Sequence, residues 1–133
     1  MNQGRLSTEL RTRTKQFAAA TIRLFVKLPK GREEVRILGK QLLRSGTSVA
    51  AQVREASRAR TPAEFVSKLG GALQEADESA LWLELLREEC EVDAALTKSL
   101  EQESSELLAI FTTMIKRTGE KLEGKSRKQK AES

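Results

Sequence analysis

Thr61-Pro62-Ala63-Glu64 marks the start of a helix, and the chain on either side of it sets out the fold. A threonine before the first turn can accept a backbone N–H, and proline suits the first helical position because the N–H it lacks would be unpaired there anyway. Glutamate three residues after the threonine completes a capping box. Beyond this start, Phe65, Leu69, Ala72, Ala76, Ser79, Leu83 and Leu86 recur at steps of three and four up to Cys90, which is the spacing of one helix face. Before it, Val35, Leu38, Leu42, Ser45, Val49, Gln52 and Ala56 form an equivalent stripe over residues 32–58. Glu33 and Glu34 sit in its first turn, where the helix dipole favours negative charge. The middle of this second helix, Ser45-Gly46-Thr47-Ser48-Val49-Ala50-Ala51, is unusually small. Gly46 costs a helix about 1 kcal/mol relative to alanine, so it implies either close approach of another helix or a local bend.

Two further helices flank this pair. Leu10, Phe17, Ile22, Leu24, Phe25 and Leu28, with Thr14 and Thr21 in register, predict a first helix over residues 7–28. Ser7 is its expected N-cap, and Pro29-Lys30-Gly31 ends it. Leu96, Leu100, Leu107, Ile110, Phe111 and Met114 predict a fourth helix over residues 93–117, with Asp93 as a candidate cap. Residues 88–95 contain neither glycine nor proline, so partial continuity of the third and fourth helices stays open. No segment shows sustained strand alternation. The expected architecture is all-α: an antiparallel up-down-up-down four-helix bundle over residues 1–117. Residues 118–133, with Lys125, Arg127, Lys128 and Lys130 and no apolar face, are expected to be a basic, disordered tail. Its uses would be solubility or non-specific affinity for polyanions.

The composition excludes much chemistry. The 133 residues include no histidine, no tyrosine and a single cysteine, Cys90. The commonest general base is absent, and Ser-His and Cys-His nucleophile pairs cannot form within the chain. Cys90 cannot make an internal disulfide, which suits a reducing cytoplasm. Its neighbours Glu88, Glu89 and Glu91 would raise a thiol pKa rather than activate it. Residues 1–14 lack the apolar core of a secretory signal, and no apolar run approaches a membrane span. No phosphate-binding glycine loop is present; Gly70-Gly71 falls within a helical pattern and fits close packing better. The expectation is a cytoplasmic, non-enzymatic protein with no cofactor, no metal and no membrane partner.

Charge is divided unevenly along the chain. The net is +10 over residues 1–60, −8 over residues 61–103 and +3 over residues 104–133, giving +5 in all. Solvated helix surface, a basic face for polyanions, and attraction between the basic and acidic faces of neighbouring subunits all fit this split. The basic set is Arg11, Arg13, Lys15, Arg23, Lys27, Lys30, Arg32, Arg36 and Lys40. Such a set can displace counterions from phosphates without reading base sequence. Phe17 and Phe25 are its only aromatics and look buried, which disfavours a dedicated single-strand reader. Glu55, Glu75 and Glu78 are the carboxylates worth weighing as metal ligands, but di-iron bundles also need Glu-x-x-His. Pairing with Arg44 or Arg54 is the better expectation.

The second helix also carries a resemblance. Gln41-Leu-Leu-Arg44-Ser45-Gly-Thr-Ser48-Val-Ala-Ala-Gln52-Val-Arg-Glu55-Ala resembles the signature of the four-helix-bundle 23S rRNA intervening-sequence protein family. The likeness continues through Glu64-Phe65, Lys68-Leu69, Ala72-Leu73, Glu75-Ala-Asp-Glu78 and Trp82-Leu83, and it covers residues 15–90. One departure is Gln52, where the family has Asn in a Ser-x-x-x-Asn-x-x-Glu pattern. The resemblance implies a homopentamer. Through a related branch, the accessory variability proteins of diversity-generating retroelements, it also implies binding of RNA or DNA and of a reverse transcriptase. A homo-oligomeric nucleic-acid-binding accessory protein is therefore the leading expectation. A protein-binding scaffold or adaptor, whose charge split serves only assembly, is the alternative.

Overall fold

The computed structural model describes residues 2–132 and the side chains of residues 8–131. Four helices follow in order: α1 (Asn2–Lys27), α2 (Glu33–Ser57), α3 (Pro62–Glu88) and α4 (Ala94–Glu132). Each packs on its neighbour in sequence, and α1 touches α4 far less than the sequential pairs touch one another. Joined by short connections, these helices form the up-down-up-down bundle that the periodicity predicts. Among the described residues, no helix is long and apolar enough to cross a membrane.

The core combines large apolar side chains with a stretch of small residues at its waist. Phe17, Phe111, Leu42, Leu69, Leu83 and Leu107 are fully buried, each removing apolar surface worth about 1.5–3 kcal/mol from water. At the waist, Ser45, Gly46, Val49, Ala72, Ala76 and Ser79 let the backbones converge. A Cβ added to Gly46 would lie 2.5 Å from Thr21 Cγ2. Close approach of α1, rather than a bend in the unbroken α2, accounts for this glycine. The buried hydroxyls of α1 are satisfied locally: Thr14 donates to Leu10 O at 2.9 Å and Thr21 to Ala18 O at 2.7 Å. The Ser45 and Ser79 hydroxyls meet at 2.7 Å across the α2–α3 contact, and Ser79 also bonds Glu75 O at 2.9 Å.

Several local expectations change. α1 begins at Asn2, so Ser7, whose side chain lies outside the described ones, is inside the helix rather than its cap. Helix formers such as Gln3, Arg5 and Leu6 extend α1 backward at little cost. Ile22 is 48% exposed and leaves the α1 stripe, because Thr21 and Leu24 already fill that level of the core. Val53, Thr97 and Ser104, not placed by the stripes, are buried. Thr61 Oγ1 accepts Glu64 N at 3.0 Å as expected, whereas the Glu64 carboxylate approaches Arg60 N at 3.4 Å, one residue beyond the capping-box partner. Asp93 caps α4 through Ala95 N at 3.0 Å.

Helices α3 and α4 are separate despite the lack of glycine or proline. Glu91 adopts a left-handed φ of 57°, and Val92 N returns to Leu86 O at 2.9 Å. Burial of Cys90 and Val92 drives this turn, since both side chains join the core only if the chain reverses there. At the other end, α4 does not stop at Arg117, where the apolar periodicity ends; it continues to Glu132, exposed from Glu120 onward.

Candidate nucleic-acid interface

The nine basic residues of the first two helices divide into two groups. Arg13 donates to both carboxylate oxygens of Glu103, at 2.8 and 2.7 Å, and reaches Glu106 at 3.4 Å. That hydrogen bond is the chief reason the Glu103 carboxyl is held below its usual range and the Arg13 guanidinium above its own, with burial opposing both. The pair ties α1 to α4 beside a groove of about 430 Å³ lined by Gln16, Phe17, Ala20 and Ser99 among others. Arg32 donates to the Cys90 carbonyl at 2.6 Å and to Glu34 at 2.9 Å, which fastens the α1–α2 turn to the end of α3. Arg36 pairs with Glu33 at 2.7 Å.

The other six, Arg11, Lys15, Arg23, Lys27, Lys30 and Lys40, are exposed, and among the described residues no ion pair or hydrogen bond holds their charged groups. Arg11 and Lys15 share the outward face of α1 with Ile22 and Val26, spaced at helical intervals. Val26 is 61% exposed, and with Phe25, Pro29 and Val35 it lines an apolar groove rimmed by Lys30, Arg36 and Lys40. Helix α3 presents the opposite charge outward through Asp77, Glu84 and Glu88, with Leu81 among them.

The residues of the sequence signature meet along the α2–α3 seam. Gln41, Arg44, Ser48, Gln52 and Glu55 follow one flank of α2, while Lys68, Gly71, Glu75, Glu78 and Trp82 follow the facing flank of α3. Lys68 pairs with Glu55 at 3.0 Å. Arg44 lies between Glu75 at 3.4 Å and Glu78 at 3.6 Å, so Arg44, not Arg54, takes the role of partner. Glu75 is the more buried of the two carboxylates. Burial raises its pKa, Arg44 opposes that rise, and Glu78 adds to it. The Gln52 amide lies against Gly71, where an added Cβ would come within 2.9 Å of Gln52 Cδ. The longer side chain thus reaches across the seam to the α3 backbone. Trp82 is half-buried, and its Nε1 is enclosed without an acceptor. Gln41 is exposed at the seam's end.

Among the described residues, no group of three or more Cys, Asp or Glu side chains is placed to hold a metal ion. Cys90 is buried, and its carbonyl serves Arg32. One cluster is absent from the sequence-derived set. Arg54, Arg58 and Arg60 gather at the α2–α3 turn around a concavity. Their spacing across a helix end is the signal that marks them.

These features define a small α-helical bundle whose charged and motif residues line its surface and seams rather than an enclosed pocket. The chain belongs to the 23S rRNA-intervening sequence protein family, which it matches over residues 7–113. It is similar to a crystal structure of a protein of unknown function from the S23 ribosomal protein family of Bacteroides thetaiotaomicron. The two share 34% identity with a TM-score of 0.73, over 80% of this chain and 98% of that one. No curated protein matches the chain.

Proposed function

We propose that this chain is a non-catalytic accessory protein of the cytoplasm that binds the phosphate backbone of nucleic acid and works as a homo-oligomer. The observation that carries the binding is the group of six unpaired cations on α1, the following turn and α2: Arg11, Lys15, Arg23, Lys27, Lys30 and Lys40. Unpaired surface cations are free to replace the counterions condensed on a polyanion, whereas Arg13, Arg32 and Arg36 are already engaged with carboxylates. Backbone contacts of this kind position a protein on RNA or DNA without reading its sequence. The exposed Ile22, Val26 and Leu81, at 48%, 61% and 46%, support self-association through apolar contact. The family resemblance supports a pentamer as that assembly. It also makes a reverse transcriptase the first protein partner to test.

The test is a triple substitution, Arg11→Gln, Lys15→Gln and Arg23→Gln, followed by fluorescence anisotropy with labelled duplex and single-stranded RNA and DNA. Affinity should fall at least about tenfold, and its dependence on salt should flatten by roughly one contact per removed charge. Arg13→Gln should leave binding nearly unchanged. Wild-type affinity in the triple variant would remove this face from the interface.

A scaffold whose charges serve assembly alone is the second reading, favoured by the apolar side chains interleaved with the α1 cations. On that reading, reversing the charges of Glu84, Glu88 and Glu89 breaks the oligomer in sedimentation experiments, and nucleic acid does not bind.

A further inference from the structure

The α2–α3 turn holds a second concentration of positive charge, on the α2–α3 side of the bundle. Arg54 and Arg58 lie one turn apart at the end of α2, Arg60 follows in the turn, and Lys68 rises from α3. They surround an open concavity of about 790 Å³ with Ala50 and Ala51 on its α2 side. The two carboxylates that line it are already used. Glu55 pairs with Lys68 at 3.0 Å, and Glu64 lies against Arg60 N at 3.4 Å. The guanidinium groups of Arg54, Arg58 and Arg60 are exposed and, among the described residues, hold no hydrogen bond or ion pair.

Three unpaired arginines around one concavity are more than the helix end requires. The dipole at the C-terminus of α2 favours one or two nearby cations, which accounts for Arg54 and Arg58. Arg60 lies outside both helices, next to the N-terminus of α3, where a cation is unfavourable and an anion is favoured. The planar guanidinium fork matches phosphate oxygens two at a time. Ala50 and Ala51 leave room for a bulky group to approach α2 between the arginines.

We propose that the concavity bounded by Arg54, Arg58 and Arg60 is a phosphate-recognition site that takes the phosphodiester backbone of nucleic acid, a second contact region that rests on the binding function proposed above. The open shape suits a chain passing through rather than a small ligand enclosed. With the α1 cations it gives one protomer a contact on α1 and another at the α2–α3 turn, which fixes how a strand lies on the bundle.

The test is the triple variant Arg54→Gln, Arg58→Gln, Arg60→Gln, measured beside the α1 triple variant on the same labelled RNA and DNA, with circular dichroism to follow folding. The expected result is at least a tenfold loss of affinity, a flatter salt dependence and an unchanged helical spectrum. Should the triple variant unfold, Arg60→Gln, which lies outside both helices and keeps the backbone bond to Glu64, serves instead and should lose about threefold or more. Wild-type affinity in these variants, alongside a loss in the α1 variant, would overturn the second site and leave the binding function standing. No binding by the wild-type protein would overturn both.

Discussion

Gly46 and Thr21 hold α2 against α1 at a distance that leaves no room for a methyl group: an added Cβ would stand 2.5 Å from Thr21 Cγ2 and 2.9 Å from its Oγ1. Thr21 is fully buried and bonded to Ala18 O, so it has nowhere to turn. Gly46→Ala gains about 1 kcal/mol in helix propensity but meets an overlap that typically costs about 1–3 kcal/mol. The variant should be less stable than wild type in urea unfolding. Adding Thr21→Ala should recover part of the loss, with a coupling of about 0.5 kcal/mol or more. Additive effects of the two substitutions would contradict the close contact.

Glu91 occupies a left-handed conformation that glycine adopts without cost. Glu91→Gly should raise stability by roughly 0.5 kcal/mol, because relief of strain exceeds the added freedom of the unfolded chain. A fall in the urea midpoint would show that the Glu91 side chain does more than tolerate the turn.

How far the fold was legible from the sequence follows from where the physics is local. Thr61-Pro62 and the stripe from Phe65 to Leu86 announce α3 because caps and periodicity are short-range properties. The break before α4 is not legible in the sequence because it depends on burying Cys90 and Val92, which only the assembled core makes favourable. Ile22 misled for a related reason: its position fits the stripe approximately, and only packing shows that the core is already filled. For the candidate site, clustering of cations was readable, but their freedom was not. Arg13 and Lys15 look alike in the sequence, yet α4 brings Glu103 to one and, among the described residues, no carboxylate to the other.

Acid should act on the protein in two opposing ways. Glu101 and Glu103 titrate below about 4.5, chiefly through their bonds to Arg87 and Arg13, so their contribution is complete above that value and is lost as pH falls through their folded pKa values. Glu75 is shifted upward from 4.5, chiefly by burial, so its charge costs stability above its folded pKa, and the cost fades as pH falls toward 4.5. Glu75→Gln should therefore match or exceed wild type in stability at pH 7 and lose that advantage near pH 4.5. Thermal melts across this range provide the check, and an advantage that grows with acid would contradict the assignment.

The described residues beyond Gly119 form exposed helix, and isolated helices of this length are marginal in water. We propose that it behaves in solution as the disordered tail its composition implies. Removing residues 120–133 should shift Tm by no more than about 2 °C, and amides there should exchange without protection. Strong protection would mean that the helix is held by a partner.

The central claim is that unpaired cations bind nucleic-acid phosphates, and a salt titration tests it most directly. Anisotropy of labelled RNA and DNA should be measured with the wild-type protein at about 50 and 200 mM salt. Six phosphate contacts predict a loss of roughly 10³-fold in affinity between those concentrations, with little preference among sequences. No binding at the lower salt would contradict the claim and leave the basic face as a surface for assembly.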